Sequence, residues 1–93
     1  MEKACSINIS GKVQGVSYRY YAKQKALEIG IKGWIKNLDN GNVEAFAVGN
    51  EKALRKFFEW CKAGPEMAEV RKIELNEIRG YEKPESFKMK YRN

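Results

Sequence analysis

Two apolar runs, Ile31 to Leu38 and Val43 to Val48, stand on either side of Asp39-Asn40-Gly41-Asn42. That arrangement predicts an antiparallel hairpin, because an Asn40-Gly41 pair accepts the positive φ angles of the favoured tight turn. A lone hairpin is marginal in water, so the flanking sequence has to complete the sheet. Cys5-Ser6-Ile7-Asn8-Ile9 alternates apolar and polar, the period of a half-buried strand. Gly11 to Ser17 carries two glycines and reads as a loop. Ser17 is placed to cap a helix running to about Ile29, with Tyr18, Ala22, Ala26 and Ile29 on one face and Gly30 as its stop. After the hairpin, Asn50 caps a second helix whose stripe is Leu54, Phe57, Phe58 and Cys61, and Gly64-Pro65 ends it. Met67 to Ile78 is a fourth strand whose imperfect alternation suggests a bulge. Phe87, Met89 and Tyr91 alternate in a short last strand.

The resulting order is β-α-β-β-α-β plus a terminal strand. It predicts the α+β class and the ferredoxin-like, split β-α-β arrangement, an antiparallel sheet with two helices on one face. No linker, repeat or low-complexity segment interrupts the 93 residues, so 1–93 reads as a single domain. The fold hosts many functions and by itself selects none.

Composition removes several chemistries. The chain has no histidine, which excludes serine–histidine and cysteine–histidine catalysis and most zinc sites. Its two cysteines, Cys5 and Cys61, fall on core-facing positions and read as reduced thiols. A single aspartate and no clustered carboxylates near the loop leave no metal site to expect. No apolar run reaches the length of a membrane span, and Met1-Glu2-Lys3-Ala4 lacks a signal-peptide core, so the expected location is cytoplasmic. The net charge is +6, and residues 1–38 hold seven Lys/Arg against two acids. A positive field in that half favours an anionic partner, either a small phosphate compound or nucleic acid.

The informative stretch is Gly11-Lys12-Val13-Gln14-Gly15-Val16-Ser17-Tyr18-Arg19. It runs from a strand end into a helix start, where backbone N–H groups lack intrahelical partners and the dipole favours negative charge. Glycines let several N–H groups turn toward one anion. Arg19, in the first turn, can reach back with a fork that takes two phosphate oxygens. An ordinary strand-to-helix turn with a surface arginine fits the same residues equally well. Asn37, in Gly33-Trp34-Ile35-Lys36-Asn37, has a neutral carboxamide that can accept from a water and donate to an anion. Taken alone, Asn37 is better explained by turn chemistry beside the hairpin, and Trp34 by packing in the core or a loop.

With both segments taken together, the chain resembles the acylphosphatases. That family's hallmark is similar to Gly-x-Val-Gln-Gly-Val-x-aromatic-Arg, which stands here from Gly11 to Arg19. A second signature resembles Gly-Trp-Val-x-Asn followed by a turn glycine and Val-Glu. Here it reads Gly33-Trp34-Ile35-Lys36-Asn37, Asn40-Gly41 and Val43-Glu44. Ala26 to Gly30, Gly49 and Gly64-Pro65 extend the match over nearly the whole chain. Tyr18 stands where phenylalanine is usual, Ile35 replaces valine, and Ser17 fills a variable position. The resemblance implies hydrolysis of the carboxyl–phosphate bond of a small acyl phosphate, with no cofactor and no metal, by a monomer. It maps substrate binding onto Gly11, Lys12, Val13, Gln14, Gly15, Val16 and Ser17, and catalysis onto Arg19 and Asn37.

The chemistry agrees with what the sequence lacks. A carboxylate leaving group, with a conjugate-acid pKa of about 4, departs unprotonated. A loose phosphoryl-transfer transition state barely deprotonates the attacking water. Neither a general acid nor a strong base is then required. Three other readings use the same features. A basic ferredoxin-like nucleic-acid-binding module is one, but Val43-Glu44-Ala45-Phe46-Ala47-Val48 offers one aromatic and an acid rather than the stacking pattern such strands carry, and nucleic acid is not the expected partner. A domain of a larger carbamoyl-phosphate enzyme would need an extension this chain does not show. An inactive regulatory domain would not need Arg19 and Asn37.

Overall fold

Alternation along β1, Glu2–Lys12, sends Cys5, Ile7 and Ile9 to one side, and all three are buried. The computed structural model describes residues 1–91 and continues with α1 (Tyr18–Ile29), β2 (Lys32–Asn37), β3 (Val43–Asn50), α2 (Glu51–Ala63), β4 (Glu69–Ile78) and β5 (Phe87–Lys90). The five strands form one sheet in the order β4-β1-β3-β2-β5. Ile35, Val43, Ala45 and Phe87 join Ile7 and Ile9 on the helix-covered face, where Tyr18, Ala22, Ala26, Phe57 and Cys61 close over them. This is the expected ferredoxin-like α+β architecture.

The expectation of a purely antiparallel sheet holds for four strands and fails at the fifth. β5 runs parallel to β2, with Gly33 opposite Phe87 and Ile35 opposite Met89. The reason is directional. β1 and β2 point one way and β3 and β4 the other, since β1–β3, β1–β4 and β2–β3 are all antiparallel. A chain leaving β4 must reverse, and the reversed direction is that of β2. The C-terminal ends of β1, β2 and β5 therefore share one end of the sheet.

Other departures are local. β1 continues through Gly11 and Lys12, which pair with Val70 and Glu69, so the loop is shorter than the glycines suggest. The bulge lies in β4, where the pairing passes from Lys72 to Val70 and skips Arg71. Gly11 is required there, because a Cβ would lie 2.2 Å from the Glu69 carbonyl oxygen. The hairpin turn closes through Gly41 N–H donating to Leu38 O at 3.1 Å, and of its residues Gly41 alone takes positive φ, at 95°. It is a four-residue turn ending in a glycine bulge rather than the tighter turn expected from Asn40-Gly41. Trp34 is not in the core. It alternates with buried Ile35, packs on Phe46 across the open face at 6.0 Å, and carries the Lys90 ammonium over its ring at 4.6 Å. Tyr91 falls just beyond β5.

Tyr18, the departure from phenylalanine, is 1% exposed. Its hydroxyl donates to the Cys61 carbonyl at 2.7 Å, satisfying an acceptor in the last turn of α2, where carbonyls lack intrahelical partners. Tyr18→Phe is expected to lower stability by about 1–2 kcal/mol in denaturant titration, the effect of an unpaired buried carbonyl. Burial also pushes the Cys5 thiol from 9.0 up to about 11 and the Cys61 thiol from 9.0 up to about 12. Raised folded-state values mean that these thiols ionise first in the unfolded chain. Their contribution is whole below about pH 9 and is lost as pH rises through the folded values. The urea midpoint is accordingly expected to be level near neutrality and to fall above about pH 9.

Candidate active site

Five residues, Val13 to Ser17, connect β1 to α1. Val13 is 1% exposed and anchors the start, while Val16 packs partly buried against the core. Between these anchors the backbone turns at Gly15, with φ 77°, and at Ser17, with φ 62°. Ser17 is the one non-glycine residue at positive φ among the described residues. This geometry corrects the capping expectation. A capping side chain normally sits on extended backbone and reaches the N–H groups of the first turn. Left-handed Ser17 makes no such bond, and only its carbonyl enters the helix, accepting from Tyr21 N–H at 3.2 Å. No acidic residue stands in the first turn of α1 either. The positive end of that helix is therefore left open to an outside anion. At α2 the expected cap forms: Asn50 Oδ1 accepts from Ala53 N–H at 2.8 Å.

Gln14 fixes the loop to the hairpin. Its Nε2 donates to the carbonyls of Leu38 and Asn42, each at 2.8 Å. The side chain is thus occupied in holding the turn that follows Asn37, and Gln14 lines the cleft. Across that cleft, of about 380 Å³, Gly15, Ser17, Arg19 and Asn37 face one another. Arg19 Nη1 donates to the Lys90 carbonyl at 2.7 Å, and the guanidinium stands 5.2 Å from the centre of the Tyr91 ring. Asn37 Oδ1 is buried and has no hydrogen-bond partner within the described residues. A buried acceptor left open is uncommon, and it marks a place where a water or ligand donor fits.

Of the residues singled out in the sequence, Val13, Gln14, Gly15, Ser17, Arg19 and Asn37 line this cleft. Gly11, Lys12 and Val16 do not line it: the first two are paired within the sheet, and Val16 turns to the core and to the outer side of the loop. Tyr20 and Met89 also reach the cleft. The contacts of Lys90 and Tyr91 with Arg19 depend on the parallel placement of β5, for which the sequence carries no local signal. No carboxylate lines the cleft among the described residues. Open N–H donors, a forked cation and an unpaired amide oxygen together can hold a tetrahedral anion and seat a water beside it.

The acylphosphatase family model matches residues 5–89 of the chain. An acylphosphatase of Archaeoglobus fulgidus is 47% identical over 90 residues, covering 95% of this chain and 98% of that protein. Among solved structures, an acylphosphatase from Bacillus subtilis superposes with a TM-score of 0.92 at 37% identity, covering 98% of this chain and 100% of that one. An acylphosphatase from Coxiella burnetii superposes with a TM-score of 0.90 at 36% identity, covering 96% and 93%.

Gln14→Ala removes both bonds between loop and hairpin and leaves the Asn42 carbonyl without that donor. The expected loss is about 1–2 kcal/mol of stability. Amide exchange should quicken in the Val13–Ser17 loop and the Leu38–Asn42 turn while the α2 amides keep their protection.

Proposed function

The chain belongs to the acylphosphatase family, enzymes that hydrolyse acyl phosphates, and from that premise we propose how its residues divide the work. The backbone N–H groups of Gln14, Gly15 and Ser17 and of the first turn of α1, together with Arg19, hold the phosphoryl oxygens. Asn37 orients the attacking water. The observation that carries this reading is the unpaired Asn37 Oδ1, buried beside Arg19 and the open helix start in one cleft. An amide oxygen there accepts a hydrogen bond from water and leaves a lone pair of the water directed at phosphorus.

The reaction then needs little else. Water oxygen bonds to phosphorus as the bond from phosphorus to the acyl oxygen breaks, and the electron pair leaves with the carboxylate. The protons of the water end on inorganic phosphate and solvent. In a loose transition state, charge spreads over the equatorial phosphoryl oxygens, where the N–H groups and the Arg19 fork stand fixed in advance. The fork stays oriented because one nitrogen is hydrogen-bonded to the Lys90 carbonyl while the guanidinium carbon lies 5.2 Å from the centre of the Tyr91 ring. That arrangement leaves other N–H groups of the guanidinium for the substrate.

We infer that the enzyme works without metal as a monomer, on small acyl phosphates rather than nucleic acid, with residues 1–93 acting as one domain. One sheet and one continuous hydrophobic cluster support the last point. Among the described residues, no group of three metal-ligating side chains is close enough to hold an ion. Cys5 and Cys61 are free and buried, which suits a reducing cytoplasmic setting. Among the described residues no helix is long and apolar enough to cross a membrane.

Arg19→Lys is expected to reduce turnover of benzoyl phosphate by roughly 10³-fold, because a point charge cannot reproduce the fork. Near wild-type turnover would remove Arg19 from the site. Asn37→Ala is expected to lose about 10²-fold in kcat, by analogy with losing one oxyanion donor, with inhibition by inorganic phosphate retained. Loss of phosphate inhibition would make Asn37 a binding residue instead. EDTA is expected to leave the wild-type rate as it is.

A further inference from the structure

A second depression begins where the phosphate cleft ends. It is a groove of about 750 Å³ that shares Gly15 and Ser17 with the cleft but includes neither Arg19 nor Asn37. Its walls are Tyr21 on α1, Trp60 near the end of α2, and Met67 in the segment before β4. At 3.6 residues per turn, Tyr21 stands roughly 200° around α1 from Arg19. α1 packs over β2 and β5, and α2 over β1, β3 and β4. A line from Asn37, on β2, past the start of α1 therefore leads toward α2 and this groove.

In-line displacement requires the attacking water and the departing oxygen to lie on opposite sides of phosphorus. With the water at Asn37, the acyl group points away from β2, over the rim made by Gly15 and Ser17. We propose that the groove beyond this rim receives the acyl group of the substrate, with Tyr21, Trp60 and Met67 as its contact surface. This assignment rests on the placing of the phosphoryl group in the Val13–Ser17 loop.

The lining also selects a substrate class. Tyr21 is 47% exposed and Met67 67% exposed, so apolar surface stands open in the groove beyond the Gly15 and Ser17 rim. Trp60 is held against Tyr18, their ring centroids 5.5 Å apart, which fixes the wall of the groove to the base of the loop. The charges point the same way. Lys25 is paired with Glu28 at 3.5 Å, and exposed Glu66 adds a second carboxylate. The groove is net negative and repels an acyl group that carries its own anion. The class that fits is an acyl phosphate with an uncharged aromatic or extended apolar acyl group.

The test compares kcat/KM for benzoyl, acetyl and succinyl phosphate in the wild type, Tyr21→Ala, Met67→Ala and Glu66→Lys. None of these three side chains is buried, so the variants should fold. Tyr21→Ala and Met67→Ala are each expected to lower the benzoyl-to-acetyl ratio by about five-fold, carried in KM. Glu66→Lys should raise the succinyl-to-benzoyl ratio by a similar factor. Ratios equal to the wild type in all three variants would overturn the assignment. Arg19→Gln separates the two levels. If it abolishes turnover while the ratios stay fixed, the phosphate site stands and the groove fails. If it turns over like the wild type, the phosphoryl placement fails and the groove with it.

Discussion

Three strands whose C-terminal ends share one end of a single sheet are the constraint on which the cleft depends. β1 delivers the Val13–Ser17 loop, β2 delivers Asn37, and β5 delivers the Lys90 carbonyl that holds Arg19. Strands pointing the same way cannot be neighbours joined by a tight turn; they need crossovers. α1 provides the crossover from β1 to β2, and β3 is inserted between them. The loop and Asn37 are thus separated in space by the width of β3. Gln14 bridges that separation by reaching the turn between β2 and β3.

The same end of the sheet is where polar satisfaction is incomplete. Elsewhere the molecule completes its bonds: Asn50 caps α2, Tyr18 satisfies Cys61, and Asn42 Nδ2 donates to Asn8 Oδ1 at 2.9 Å. At the cleft, α1 begins without a side-chain cap, Ser17 sits in a left-handed conformation that carries steric strain for a residue with a Cβ, and Asn37 Oδ1 lacks a partner. Each feature is unfavourable in the folded chain alone. Together they leave open donors and an open acceptor in one cleft, which is how preorganised sites are built against local stability.

Most elements were legible because their signals are local. Alternation in Cys5 to Ile9, the stripe from Leu54 to Cys61, and Gly30 as a stop all depend on residues close in sequence. The gathering of Gly15, Ser17, Arg19 and Asn37 was legible only through the resemblance, since Asn37 by itself reads as turn chemistry. What escaped is set by distant partners. Trp34 was expected to pack in the core or a loop, yet its side of β2 is decided by burying Ile35. Gly11 looked like a loop glycine, but the close approach of Glu69 from β4 demands it. Ser17 carries a capping side chain, and the backbone twist of the loop withdraws it. The parallel sense of β5 follows from the directions of four other strands, which no window of sequence contains.

The central place of β1 also bears on how fast the molecule assembles. Its partners are β3 and β4, with Ala4 opposite Val48 and Ile78. Among the described residues, only β2 and β3 are paired through a short turn. Closing the large loops that join β1 to its neighbours loses chain entropy before contacts can compensate. The hairpin can form early, while the first strand waits for β3 near the middle of the chain and for β4 well beyond it. The loop that follows β1 takes its shape only at that late step. Folding of this small molecule should therefore be slower than its size alone suggests, with the Val13–Ser17 loop among the last parts to be organised.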